Sequence, residues 1–520
     1  MRLAVLTQPE ADSGDREAAD TAMGGPPAVM AGTPAVIGGN PAVTGVNPAV
    51  TGGTPAVMGG NPLRFLDMPT EVNVWRRRFI QAFDNLPEAS PQQLSDTYAS
   101  RRGAAKLFTT FDSSVVRKME EPNVKRIKSD QQSILHLLKN LIIESNARLI
   151  KDKDGKEFIE GKNLNRILQL VSHVLPGTNG HFVDIVDTIL KTDESWQIGT
   201  VCSVNSSPDT LVLVIQFCLS PISLHPDYCN SAVARFDWSQ YEVYASPVKQ
   251  PVFLGRYKHD LNILWCVHVV NFFKFHLKAP NGEGLLSHAF GVLPRNQLPR
   301  PWLGRLKQGT QELGRNWKGS FYSLTSLRMA GGRGDRIYSD EICGPEFQDA
   351  TFIFDEEKIG EAQWQAVWEN VLKSNPFSAE HRHAAHASGR STRSKQSKEH
   401  KEVESPGRKY FYGSLQDDRV AHFYGIIHAI PTQHGIPGFQ RMTMVKYFPD
   451  DPTQMWAYEG CVLPGGSIIV GRWWDATAEA TSDVFSGPFI FWNVGSSEAE
   501  VSMDGQAALE FFNSMRYGGF

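Results

Sequence analysis

The sequence predicts an α+β protein, a mainly helical N-terminal domain followed by an antiparallel, roughly eight-stranded β-barrel. Three observations carry that prediction. Residues 456–475, WAYEGCVLPGGSIIVGRWWD, alternate large and small side chains on both sides of Pro464-Gly465-Gly466. Pro fixes one backbone angle and Gly supplies a positive φ, so this stretch reads as a β-hairpin. Eight strand candidates of that kind follow one another after residue 316, which suits a closed barrel without exposed sheet edges. Before residue 294 the apolar residues recur with helical spacing instead.

Composition narrows the partners. A net charge of -4 over 520 residues gives no global attraction to nucleic acid or to an acidic membrane. The cysteines at 202, 218, 229, 266, 343 and 461 include no Cys-x-x-Cys pair, which argues against a zinc ribbon or a thioredoxin-like site and predicts reduced, mostly buried thiols. Leu3–Leu6 is too short for a signal core, and Leu261–Phe273 falls short of the ~20 apolar residues that span a bilayer. The expectation is an intracellular protein, cytoplasmic and/or nuclear, with no membrane partner, no nucleic acid, no metal and no cofactor.

In order, residues 1–62 are expected to be disordered. Prolines at 27, 34, 41, 48, 55 and 62 mark a seven-residue Pro/Gly/Ala/Val repeat, and Pro with Gly in each repeat removes both helix hydrogen bonds and helix propensity. A mainly helical domain, 63–293, comes next. Trp75, Phe79 and Phe83 form an apolar stripe flanked by Arg76, Arg77 and Arg78. Ser129 and Gln132 suggest a capping box for a helix whose apolar face is Ile134, Leu137, Leu138, Leu141 and Ile142. Helices are expected at 163–175 and 182–190, with the KDKDGKEF stretch between the first of them and the preceding helix as a polar turn, because its Gly155 is misplaced for a calcium loop. Leu211–Leu219 reads as a buried strand, and Asp260 as the cap of an apolar helix over 261–277 in which His268 and His276 are core residues.

Residues 294–316, rich in Pro and Gly, are expected to link this domain to the barrel of 317–520. Strands are expected at 317–321, 350–355, 410–415, 420–430, 440–448, 455–463, 467–475 and 488–494. Between them, a helix over 360–372 with Trp364 and Trp368 is expected to plug or cap the barrel. A polar insertion, 378–409, holds His381, His383 and His386 and a basic run and is expected to be disordered. Arg333-Gly334-Asp335 reads as a turn.

Catalytic signatures are absent: no Gly-x-Ser-x-Gly, His-Glu-x-x-His, Walker loop or dinucleotide fingerprint occurs, which lowers the expectation of an enzyme. Strand alternation nevertheless groups polar residues. His422, Tyr424 and His428 share one face; Glu459 lies with Ala457 and Cys461; Arg472 lies with Val470 and Trp474. Glu459, Arg472, His422 and His428 would orient a polar ligand if they faced a pocket. If they faced outward, Glu459 and Arg472 would be a cross-strand ion pair.

Two stretches resemble a known family. Trp317-x-Gly319-x-Phe321 at the head of a many-stranded region resembles the calycin-like barrels that form the substrate-docking domain of some F-box proteins, and is loosely similar to the Gly-x-Trp start of lipocalins. Phe65–Asp84, FLDMPTEVNVWRRRFIQAFD, looks like the surroundings of an F-box in fungal members. Here Pro69-Thr70-Glu71-Val72 runs almost directly into Trp75-Arg76, so the helices that would grip the cullin adaptor are missing or degenerate. The WRRRF, RMTMVKYF and GRWWD blocks are similar to uncharacterised fungal proteins. The resemblance implies a non-catalytic protein-recognition module, a substrate receptor related to F-box subunits of ubiquitin ligases, with a protein or peptide at the barrel and the cullin adaptor as partners. Trp473, Trp474 and Trp492 would then be exposed anchors at the barrel mouth, beside Arg472. The alternative is a small-molecule-binding barrel or an enzyme using the lumen. A lumen filled by Trp and Met favours docking; a closed apolar cavity favours a ligand.

Overall fold

The structure, a computed structural model, describes residues 68–107, 121–171, 208–228, 236–325, 339–364, 407–476, 486–495 and 510, apart from 86, 152, 154, 156, 246, 248, 256, 257, 280, 281, 362, 363 and 417. The repeat tract, the helix expected at 182–190, Arg333-Gly334-Asp335, Trp368 and the polar insertion up to residue 406 lie outside the described residues.

Local chemistry sets the first helices. In α1 (Met68–Ala82) Phe79 is buried, as is Phe83 one turn on, while Arg76, Arg77 and Arg78 are exposed. Helix α2 (Pro91–Leu107) begins with Pro at its first position and with a reciprocal capping box, Gln93 N donating to Ser90 Oγ (3.3 Å) and Ser90 N to Gln93 Oε1 (2.9 Å). Helix α3 (Glu121–Ile143) buries the expected face. Its start precedes Ser129, so the expected capping box sits inside the helix. Arg101 of α2 grips Glu144 through Nη1 and Nη2 (2.8 and 2.5 Å) and lies over the rings of Phe79 and Phe83.

Strands β1 (Arg148–Lys151) and β2 (Glu157–Glu160) form a hairpin around the polar turn, with Gly155 at φ 78. Helix α4 (Lys162–Val171) has its free N–H groups satisfied from afar: Asp84 accepts from Lys162 N (2.8 Å) and Asn163 N (3.2 Å).

Residues 211–218, expected as a strand, belong to helix α5 (Pro208–Cys218), followed by α6 (Ser220–Leu224) and α7 (Phe236–Val243). A short apolar run has the same pattern in a buried helix as in a buried strand, and tertiary packing decided it. After the small hairpin β3 (Phe253–Leu254) and β4 (Asp260–Leu261), helix α8 (Ile263–Lys278) is capped by Asn262, whose side chain accepts from Trp265 N, and not by Asp260. Helix α8 is buried on nearly every side, including His268 and His276.

Helix α9 (Ser287–Gly291) leads into 294–316, which is packed chain and not a loose bridge. Trp302 is buried beneath the turn at Gly465, where a Cβ would lie 2.3 Å from it; Leu298 and Leu313 are also buried.

The C-terminal half closes into a barrel. Its strands are β5 (Asn316–Thr325), β7 (Gln348–Ile353), β8 (Arg408–Gln416), β9 (Val420–Ala429), β10 (Gln440–Phe448), β11 (Asp451–Val462), β12 (Ile468–Asp475) and β13 (Ser486–Asn493). Each pairs antiparallel with the next, and β13 returns to β5 through Phe489↔Phe321 and Asn493↔Trp317. All eight expected strands are present. Strand β6 (Ser339–Ile342) extends the far end of β5. Arg408 and Lys409, expected in the insertion, begin β8. The β11–β12 turn is the expected one, with Gly465 at φ 83 and Gly466 at φ 67.

Both faces of the wall are buried. Inside, Trp317, Phe321, Phe352, Phe411, Phe423, Met442, Met444, Tyr458, Trp473, Phe489 and Phe491 form one cluster. Large and small residues interlock there: a Cβ on Gly319 would lie 2.1 Å from Phe491, on Gly413 2.6 Å from Phe423, and on Gly425 2.3 Å from Phe411. At one end Leu313 joins this cluster, and Gln311 N donates to Gln440 Oε1 (2.7 Å). Outside, α8 packs on β12 and β13, joining Val470, Ile490 and Trp492 to the helical core. Elsewhere on the outer wall Tyr410, Tyr424, Tyr447 and Trp474 cluster with Ile359 of α10 (Glu356–Ile359). Trp364, expected in a plug or cap, packs on this outer wall against Tyr410 at 4.6 Å between ring centroids. The described residues from Pro69 onward form one compact unit.

Candidate functional site

The expected aromatic anchors are not exposed. Trp473 points into the lumen and donates its indole N–H to Tyr322 O (3.1 Å); Trp474 and Trp492 point outward beneath other side chains, with exposures of 4% and 0%. Alternation identified which residues share a face, but the helices bury the outer face too, so large aromatic size did not signal exposure.

Arg472 and Glu459 are direct cross-strand partners on the outer wall, yet their side chains part. The Arg472 guanidinium is buried, donates to Val243 O (3.1 Å) and Ala245 O (3.0 Å), and lies 5.0 Å from the centre of the Trp265 ring. Burial pulls it down to about 9, so it is still cationic at neutral pH. It fastens the end of α7 to the barrel.

Glu459 instead accepts on Oε1 from Lys258 Nζ (2.7 Å), Arg441 Nε (2.8 Å) and Arg441 Nη2 (2.6 Å). Burial works to raise this carboxyl, but Lys258 and Arg441 outweigh it and hold it down to about 2. Lys258 reaches this position from the turn between β3 and β4, where its φ is 52. Neither cation was identified as a site residue from sequence. Arg441 was findable, since it lies opposite His428 across the β9–β10 register; Lys258 is 201 residues from Glu459.

His428 joins this group. Arg408, His428 and Arg441 stand abreast on β8, β9 and β10, all on the outer face. Burial lowers His428 to about 4, assisted by Arg441, Arg408 and His259 and opposed by Glu459. It is therefore neutral at pH 7. His422, on the same face, belongs to a separate place: its Nδ1 is 3.0 Å from Ser414 Oγ and the residue is buried. Of the four expected polar residues the structure brings together Glu459 and His428, and sets Arg472 and His422 apart.

Sequence reading also missed a buried pair at the seam of helix and barrel. His276 Nε2 lies 3.1 Å from Asp340 Oδ2, which also accepts from Gln240 Nε2 (2.8 Å), and His276 stacks on Tyr322 at 4.5 Å. Cys218, Cys266 and Cys461 are buried free thiols whose titration burial pushes upward. Among the described residues no group of three or more His, Cys, Asp or Glu is placed to hold a metal, and no helix is long and apolar enough to cross a membrane. No family model matches the chain, and comparison with curated proteins and with solved structures gave no match.

Proposed function

We propose that this chain is a non-catalytic protein-recognition module that binds a protein or peptide on the outside of its barrel. The observation that carries this reading is the filled lumen. Side chains of the chain itself interlock there, phenyl ring against glycine, as in a protein core and not as in a ligand chamber. A filled lumen favours binding on the outer surface, where Lys258, Arg441 and Glu459 form an ionic group.

Within this reading the closest functional counterpart is the substrate receptor of an F-box ubiquitin ligase, with the exposed arginines of α1 facing the cullin adaptor. The test is size-exclusion chromatography of the purified chain with purified adaptor, beside a variant with Arg76, Arg77 and Arg78 changed to Glu. Co-elution lost in the variant supports the ligase assignment. Separate elution of the unchanged chain removes that assignment and leaves the recognition module.

A second reading, a small molecule or substrate held in the lumen, has one observation in its favour. Gln348 faces inward on β7 and is fully buried, and neither of its amide atoms has a hydrogen-bond partner among the described residues. Native mass spectrometry of the freshly purified chain tests it: a co-purifying small molecule, lost on Gln348→Leu, would favour the lumen.

A further inference from the structure

We propose that the row Arg408–His428–Arg441, with the β3–β4 turn carrying Lys258 and His259 beside it, is a docking surface for an acidic peptide segment. This rests on the recognition reading and names its ligand chemistry. Three features support it.

The first is the arrangement of the row. Arg408 and Arg441 flank His428 on adjacent strands, on one face, and Lys258 reaches the same place. These three cations outnumber the two carboxylates beside them, Glu459 and Asp260, so the surface favours an acidic partner. The second feature is that the row is held rigid. Arg441 is anchored on Glu459 by two of its N–H groups, and its guanidinium lies 5.8 Å from the centre of the Phe253 ring. Lys258 is anchored on the same carboxylate oxygen. Long side chains already ordered lose little entropy on binding. Arg408 and His259 at the margin are exposed, and Arg441 and His428 are partly so.

The third feature is span. Three neighbouring strands cover about 10 Å, the reach of about three residues of extended chain. Carboxylates on alternate residues of such a segment stand about 7 Å apart, a difference that the long side chains of Arg408 and Arg441 can take up, while His428, neutral at pH 7, offers a hydrogen bond between them. The field acting on His428 comes from Arg441, Arg408 and His259 against Glu459, in keeping with a surface that favours anions. Asp260, exposed beside His259 at the start of β4, is the one acid of that hairpin and marks that side of the surface.

The test is fluorescence anisotropy of the full chain with a fluorescein-labelled peptide of alternating Glu and Ser, beside its Lys–Ser counterpart and a single-stranded oligonucleotide of equal charge. Arg408→Glu and His259→Glu are the variants, since neither residue holds Glu459. Saturable binding of the Glu peptide alone is expected, weakened at least ~10-fold by Arg408→Glu and reduced by added salt, with circular dichroism unchanged. Three results would each overturn the proposal: equal binding of the Lys peptide, binding of the oligonucleotide as tight as that of the Glu peptide, or unchanged affinity in a folded Arg408→Glu chain. If the Glu peptide fails while the adaptor co-elutes, this surface is refuted and the recognition reading survives; if the peptide binds and the adaptor does not, the surface stands without the ligase assignment.

Discussion

Acid should weaken this fold through its buried histidines, and His268 shows by how much. It lies in α8 with 2% exposure, its Nδ1 3.1 Å from Ser239 Oγ; that hydroxyl accepts from Asn271 Nδ2 (2.8 Å). Burial lowers it from 6.5 to about 4. Because the folded value lies below the unfolded one, the unfolded chain takes up a proton between those limits while the folded chain does not. Its stabilising contribution is complete above 6.5 and declines as pH falls towards 4. Between about pH 7.5 and about pH 5 this amounts to about 2 kcal/mol for the one group. His225 and His428 are lowered to the same region and add to the slope. The assay is urea unfolding followed by tryptophan fluorescence at those two pH values, for the natural chain and for His268→Gln, which keeps a polar group facing Ser239. The variant should lose about 2 kcal/mol of the pH difference, whatever its absolute stability. An identical difference in both chains would refute the reasoning.

Other perturbations have signs that follow from the packing. Gly425→Ala places a methyl group 2.3 Å from the Phe411 ring and 2.4 Å from Thr443 O, so a loss of about 1–3 kcal/mol is expected. Gly103→Ala in α2, with nothing within 4 Å, should gain about 0.5–1 kcal/mol, and thermal melting should move the two variants in opposite directions. Changing Arg472 and Trp474 together to Ala should unfold the chain: about 3–5 kcal/mol for the tryptophan and about 1–3 for the orphaned carbonyls approach the whole stability of a domain. A folded double variant with native near-ultraviolet circular dichroism would contradict their place in the core. Asp340→Leu should cost about 1–3 kcal/mol by leaving Gln240 Nε2 and His276 Nε2 without their buried partner, read as a lowered urea midpoint; no shift would show that the contact is dispensable.

The barrel was legible because short runs rich in β-branched and aromatic residues recur between turn residues, and Pro464-Gly465-Gly466 marks its hairpin unambiguously. Residues 211–218 were not legible, since an apolar β-branched run of that length fits a buried helix equally well. Half of the site was legible for the same reason. Cross-strand register places His428 beside Arg441, and parity puts Glu459 on their side. Inside could not be distinguished from outside, because in most barrels a polar face marks the exterior, and here α8 and its neighbours make the exterior of β12 and β13 as apolar as the lumen. Lys258 carries no local signal; only the tertiary fold brings its turn to Glu459.

The burial of α8 against β12 and β13 has a consequence for biosynthesis. The helix emerges from the ribosome roughly two hundred residues before the strands that cover it, about 10–40 s at ordinary elongation rates. During that interval Trp265, Phe272 and Phe273 have no barrel to shelter them, and the ring cannot close until β13 has been made to meet β5. Nascent chains stalled just short of residue 486 should therefore be bound by chaperones at α8, and a few tens of further residues should release them.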